Sequence, residues 1–154
     1  GGRKTHRPVR RQSGRTMEHE GKKKYLRGYR GHVRRAEQIT AQIAQLRACK
    51  ANPSAIVYDG MPKGGGGTDL SGYIARLDEL ERQLMEERTR EICTYQDIVR
   101  RIKLLRSENE LDVLFYRYIR GLDWWEIAER MELSRRQILR IHAEALEHLD
   151  YPEL

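Results

Sequence analysis

Long apolar runs, aromatic residues and cysteines are all scarce in this 154-residue chain. No apolar run approaches the ~20 residues needed to span a bilayer, so no membrane partner is expected. The N-terminus is basic but no apolar segment follows it, which argues against a secretory signal. Cys49 and Cys93 are the only cysteines. Their separation supports neither a disulfide framework nor a zinc site, and a reducing, cytoplasmic setting is expected. Aromatics make up 7% of residues and charged side chains 34%, so one large core is not expected. The length leaves room for one ordinary domain or two small helical units.

No nucleophile is set beside a base and an orienting group. Gly64–Gly67 follows no strand pattern and lacks the Lys-Ser/Thr ending of a phosphate loop. The expectation is a protein that is not an enzyme and needs no cofactor or metal.

What the chain does have is charge, unevenly spread. Residues 1–50 carry fifteen Lys/Arg against three Asp/Glu, residues 51–106 nine of each, and residues 107–154 six against eleven. The net +7 is therefore +12, zero and −5 along the chain. A nucleic-acid function cannot rest on the total.

Residues 1–21 read as a disordered basic arm, because residues 1–16 hold six Lys/Arg and almost no apolar side chain. The sequence opens on Gly-Gly and its first methionine is Met17, so residues 1–16 fit a non-native leader and a native arm equally well. From Lys22 to Lys50, apolar positions Tyr25, Tyr29, Val33, Ala36, Ile39, Ile43 and Leu46 recur at steps of three and four, marking a helix whose firm part is expected from His32. Asn52-Pro53 closes it, and a glycine-rich loop fills 51–67. A second helix is expected over Leu70–Leu105. Leu70, Leu77, Leu84, Ile98 and Leu105 follow a seven-residue period, and Tyr73/Ile74, Leu80, Tyr95 and Ile102 supply the other seam position. Residues 22–106 thus read as a long antiparallel helical hairpin, a coiled coil that could also hold a homodimer.

Residues 107–150 are punctuated by Ser107-x-x-Glu110, Asp123-x-x-Glu126 and Ser134-x-x-Gln137, three capping-box patterns. They predict helices at 108–120, 124–131 and 135–149, with Gly121 ending the first. The full expectation is an all-α chain, the hairpin followed by a three-helix helix-turn-helix unit.

In that unit Ile127, Met131, Leu133, Ile138 and Ile141 supply an apolar lock and Ala128 a small crossing residue. Ser134 then starts a helix whose Arg135, Arg136, Gln137 and Arg140 face outward. Arginine reads guanine bidentately and glutamine can do so with adenine, so these five form the candidate DNA-contacting set. Lys22, Lys23 and Lys24 are candidate phosphate contacts. His142 reads as a packing or phosphate-contacting residue, since no second ligand is spaced to make it a metal site. Of the paired tryptophans, one is expected in the core. Trp125 is expected to pack on the long helices, with an exposed protein contact as the alternative.

Residues Ile119-Arg-Gly-Leu-Asp-Trp-Trp-Glu-Ile-Ala-Glu-Arg-Met-Glu-Leu-Ser134 resemble region 4 of bacterial sigma factors. Leu133-Ser-Arg-Arg-Gln-Ile-Leu-Arg-Ile-His-x-Glu-Ala-Leu146, with Asp69-Leu-Ser-Gly-Tyr-Ile-Ala-Arg-Leu-Asp-Glu-Leu80 before it, is similar to phage transcriptional regulators of the RinA/ArpU type. The resemblance runs from about Lys22 to Leu149. It implies a prophage-encoded regulator of late or packaging genes, with double-stranded DNA as partner and RNA polymerase as a further one. Two other readings stay open: a small-terminase-like packaging component, and a sigma-like polymerase adaptor. Glu132 stands where sigma-type turns often have glycine, so a left-handed backbone there would cost roughly 1–2 kcal/mol.

Overall fold

The computed structural model describes residues 10–51 and 68–152, and within them the chain is all-helical. In order, the elements are α1 (Arg10–Leu26), α2 (Gly28–Ala51), α3 (Thr68–Ile102), α4 (Glu108–Leu114, continued by a π-helical turn over Phe115–Ile119), α5 (Trp124–Met131) and α6 (Arg135–His148). Most of the expected loop, and residues 1–9 of the expected arm, lie outside the described residues. No helix among those described is long and apolar enough to cross a membrane.

The chain divides into two compact units, residues 31–93 and residues 1–30 with 94–154. The boundaries expected at 21/22 and 106/107 are therefore displaced: the start of the first long helix and the end of the second belong with the C-terminal helices.

In the 31–93 unit, residues late in α2 meet residues early in α3. The Lys50 ammonium lies 4.7 Å from the Tyr73 ring centre, Arg47 pairs with Glu81 at 3.1 Å, and His32 and Arg35 both reach Glu87, at 2.8 and 3.3 Å. The two segments run in opposite directions. Ala36, Ile43 and Leu80 are buried along this seam. So is Glu87, in line with the apolar positions, its carboxyl held below the usual range chiefly by the His32 hydrogen bond. The expected seam is partly corrected, because Leu70, Ile74 and Tyr95 are exposed. A straight helix drifts ~20° per heptad from a strict seven-residue repeat, so a period read over five heptads cannot stay on one face.

The other unit has two apolar clusters. Leu26, Ile98, Val99, Ile102, Leu114, Tyr118, Ile119, Ala145, Leu146 and Leu149 form the first, joining α1, the end of α3, α4 and α6. The end of α3 thus packs on the C-terminal helices. Val113, Ile127, Ala128, Ile138 and Ile141 form the second, between α4, α5 and α6. The π turn was not expected within 108–120. Arg120 N–H reaches back to Phe115 O and Leu122 N–H to Tyr116 O, each one residue further than in an α-helix end. Gly121, at φ +69°, takes the left-handed position that ends the helix, and a side chain there would run into the Arg30 guanidinium.

The largest correction is α1. Residues 10–21 are helical where a disordered arm is expected. Apart from Tyr25 and Leu26 at its end, which join the first cluster, this helix has little apolar surface, and polar contacts with α6 add to its anchoring. Arg15 pairs with Glu147 at 2.8 Å, and Lys22 Nζ donates to Leu146 O at 2.6 Å from a buried position. Gly21 passes so close to Tyr151 that a Cβ would lie 2.7 Å from its hydroxyl. Lys22 therefore caps the last carbonyls of α6, at the negative end of that helix's dipole. Lys22→Met leaves a buried carbonyl without its donor and is expected to cost about 2 kcal/mol of unfolding free energy in a urea titration. Affinity for DNA should be unchanged under conditions where the variant is folded. An unaltered urea midpoint with weakened DNA binding would restore the phosphate-contact role.

Candidate nucleic-acid interface

The segment from Asp123 to His148 is built by its caps. Asp123 Oδ1 accepts from Glu126 N–H and Glu126 Oε2 from Asp123 N–H, both at 2.9 Å. This reciprocal box starts α5. Its end is a Schellman turn: Glu132 N–H reaches Glu129 O at 3.3 Å and Leu133 N–H reaches Ala128 O at 3.1 Å. Glu132 takes φ 55°, ψ 38°, the left-handed conformation that costs a β-carbon-bearing residue roughly 1–2 kcal/mol. A second box then starts α6, with Ser134 Oγ accepting from Gln137 N–H at 3.2 Å and Gln137 Oε1 from Ser134 N–H at 2.9 Å.

Behind the turn, Ile127 and Ile138 are fully buried, Ala128 and Ile141 nearly so, and Met131 and Leu133 pack at the margin. These are the six apolar positions expected from the sequence. With Ile138 and Ile141 inward, Ser134, Arg135, Arg136, Gln137 and Arg140 are all exposed.

Their roles are not equal. Gln137 has its carbonyl oxygen committed to the cap, so it cannot give adenine the donor–acceptor pair the sequence suggests without opening the box. Ser134 is likewise a cap residue. Arg140 lies 4.0 Å from Glu144, one turn on, and is partly neutralised by it. Arg135 and Arg136 have no ion-pair partner among the described residues. They occupy the first turn of α6, which contains no acidic residue, whereas the first turns of α4 and α5 carry Glu108, Glu110 and Glu126. Cations at a helix N-terminus oppose its dipole, by typically 0.3–1 kcal/mol each. Charge placement here runs against the stability of α6.

Of the three lysines, Lys22 is buried under α6, Lys23 pairs with Glu20 at 2.9 Å, and Lys24 is exposed on α1. Lys22 is thereby removed from the candidate phosphate contacts.

His142 is a packing residue, 7% exposed. Its Nε2 lies 2.8 Å from the Tyr118 hydroxyl and its ring meets Trp124 edge-on at 4.8 Å. Burial, then the nearby Lys23, Arg117, His19 and Arg27, pushes its pKa down to about 4. Burial pushes the Tyr118 hydroxyl up to about 12. With a protonated phenol and a neutral imidazole, Tyr118 donates to Nε2 and the ring proton is assigned to Nδ1. A buried, neutral ring makes no phosphate contact. Among the described residues no group of three or more His, Cys, Asp or Glu is placed to hold a metal ion.

Sequence reasoning passed over a set of stacked arginines beside this pair. The Arg117 guanidinium sits 4.4 Å from the Trp124 ring centre and donates to Leu122 O at 3.1 Å, and Arg120 and Arg130 both lie 5.9 Å from the Tyr116 ring centre. The alternation Phe115-Tyr-Arg-Tyr-Ile-Arg120 was the available signal. Trp124 is half-buried, but Trp125 is 72% exposed and does not pack on the long helices as expected.

No family model, curated protein or solved structure matches the chain.

Proposed function

We propose that the chain is a sequence-specific regulator that binds double-stranded DNA, with α5 and α6 acting as a sigma-region-4-like helix-turn-helix and α6 entering the major groove. In this reading α2 and α3 form the helical-hairpin scaffold. Arg135 and Arg136 read base edges, and Arg140 exchanges Glu144 for a phosphate or base. The observation that carries the reading is the pair of exposed, unpaired arginines on the first turn of α6. They stand on a turn locked by two capping boxes, a placement that works against the helix and so calls for a partner. Recognition helices contact base edges through these N-terminal residues. The resemblance to RinA/ArpU-type regulators supports a prophage origin and control of late or packaging genes.

Trp125 and the net −5 of residues 107–154 favour a second reading, a polymerase adaptor that grips protein through the same unit. Binding-site selection from genomic fragments with the purified chain separates the two. A recurring motif is expected. A pool without enrichment, from a chain that retains RNA polymerase in the absence of DNA, would overturn the DNA-reading proposal.

A further inference from the structure

The 31–93 unit leaves one face of α3 uncovered. Leu77, Leu80, Leu84, Glu87 and Glu91 are turned inward along the seam with α2. Leu70, Ile74, Met85 and Ile92 are instead 52%, 48%, 73% and 58% exposed. At 100° per residue these four fall within about 60° of one another, roughly 95° round from the seam. The stripe is about 33 Å long.

Charged residues interrupt the α3 stripe in order. Asp78 precedes Met85 and Arg88 follows it, whereas Glu81 is already paired with Arg47 of α2. A stripe acidic on one side of its centre and basic on the other is complementary to itself turned end for end. We propose that this face is a homodimer interface in which α3 of a second copy lies antiparallel, with Met85 near the two-fold axis. In the register that stacks seam positions, Ile74 meets Ile92 of the second copy and Asp78 meets its Arg88, while Met85 lies over its Glu81. A parallel pairing would instead set Asp78 on Asp78 and Arg88 on Arg88, which is repulsive. Arg88 now pairs with Glu91 at 2.7 Å at the edge of the seam, with the arginine half-exposed. A half-exposed pair of this kind contributes little and yields readily to an intermolecular one. The inference rests on α2 and α3 alone and stands or falls apart from the DNA reading.

Sedimentation equilibrium of the full chain without DNA is expected to give a dimer. Met85→Glu with Ile92→Glu should weaken association at least ~100-fold, because each copy would bring two carboxylates into an apolar seam. Helix content and unfolding midpoint, followed by circular dichroism, should hold, since both side chains are exposed within the single chain. A monomeric wild type, or a variant that dimerises equally well, overturns the proposal. Orientation is tested with Cys49 and Cys93 replaced by alanine. Ile74→Cys and Ile92→Cys proteins should form a disulfide when mixed, and neither should do so alone. Cross-linking of either one alone overturns the antiparallel register.

Discussion

Arg135→Ala/Arg136→Ala is expected to bind its preferred DNA site roughly 30- to 20,000-fold more weakly than the wild type. Each bidentate arginine–guanine contact is worth ~1–3 kcal/mol of discrimination. Two such contacts sum to ~2–6 kcal/mol, and every 1.4 kcal/mol is about tenfold in affinity. Losing two arginines to alanine also frees the first turn of α6 from two cations at its positive end, so the variant should fold at least as well as the wild type. That separates lost binding from lost structure. If the arginines touched only phosphates, affinity would fall alike for all sequences, and the slope of log K against log salt would shrink by ~0.9 per lost contact. Competition gel shifts with specific and scrambled duplexes at several salt concentrations distinguish these outcomes. Undiminished specific binding by the double variant would sink the recognition-helix assignment.

Between pH 6.5 and pH 4 the His142–Tyr118 pair is expected to remove about 3 kcal/mol of stability. The folded pKa is depressed to about 4 from an ordinary value of 6.5. Over that window the unfolded chain binds a proton at His142 that the folded chain refuses, so stability falls as pH falls. A shift of some 2.5 units corresponds to about 3 kcal/mol. The contribution is whole above pH 6.5 and lost below pH 4. Carboxylates titrate in the lower part of the same range, so the informative quantity is a difference. His142→Phe should flatten the slope of unfolding free energy between pH 5 and 6.5, where few carboxylates titrate. It leaves the Tyr118 hydroxyl without its acceptor, which lowers stability at all pH values without imitating a slope. Equal slopes in the two proteins would show that His142 is charged when folded.

The C-terminal helices were legible because their signals are local. A capping side chain three residues before an acid or amide marks a helix start with no knowledge of the rest of the fold, and α4, α5 and α6 begin where Ser107, Asp123 and Ser134 place them. The apolar lock of Ile127, Ala128, Ile138 and Ile141 was legible for the same reason. What could not be read is what depends on distant partners. Lys22 looks like a solvated cation until Leu146 O, 124 positions away, is beside it. Glu87 looks like a break in an apolar seam until His32 and Arg35 reach it across 55 and 52 positions. Gln137 shows a subtler limit. The pattern that identified it as a cap also disqualified it as a free base reader, and the two readings exclude each other.

The Lys22–Leu146 contact also has a consequence for the order in which the protein can assemble. Residues 31–93 are contiguous, so all the contacts within that unit lie in one uninterrupted stretch of chain. The other unit is split, drawing on residues 1–30 and 94–154. During synthesis α1 emerges first and finds neither the carbonyl its lysine caps nor the cluster Leu26 enters, because both lie with α6. The middle of the chain can fold on its own schedule, whereas the split unit stays open until its last helix is made. Contacts so far apart in sequence are slow to form. Until then α1 is a basic segment without its partners on α6.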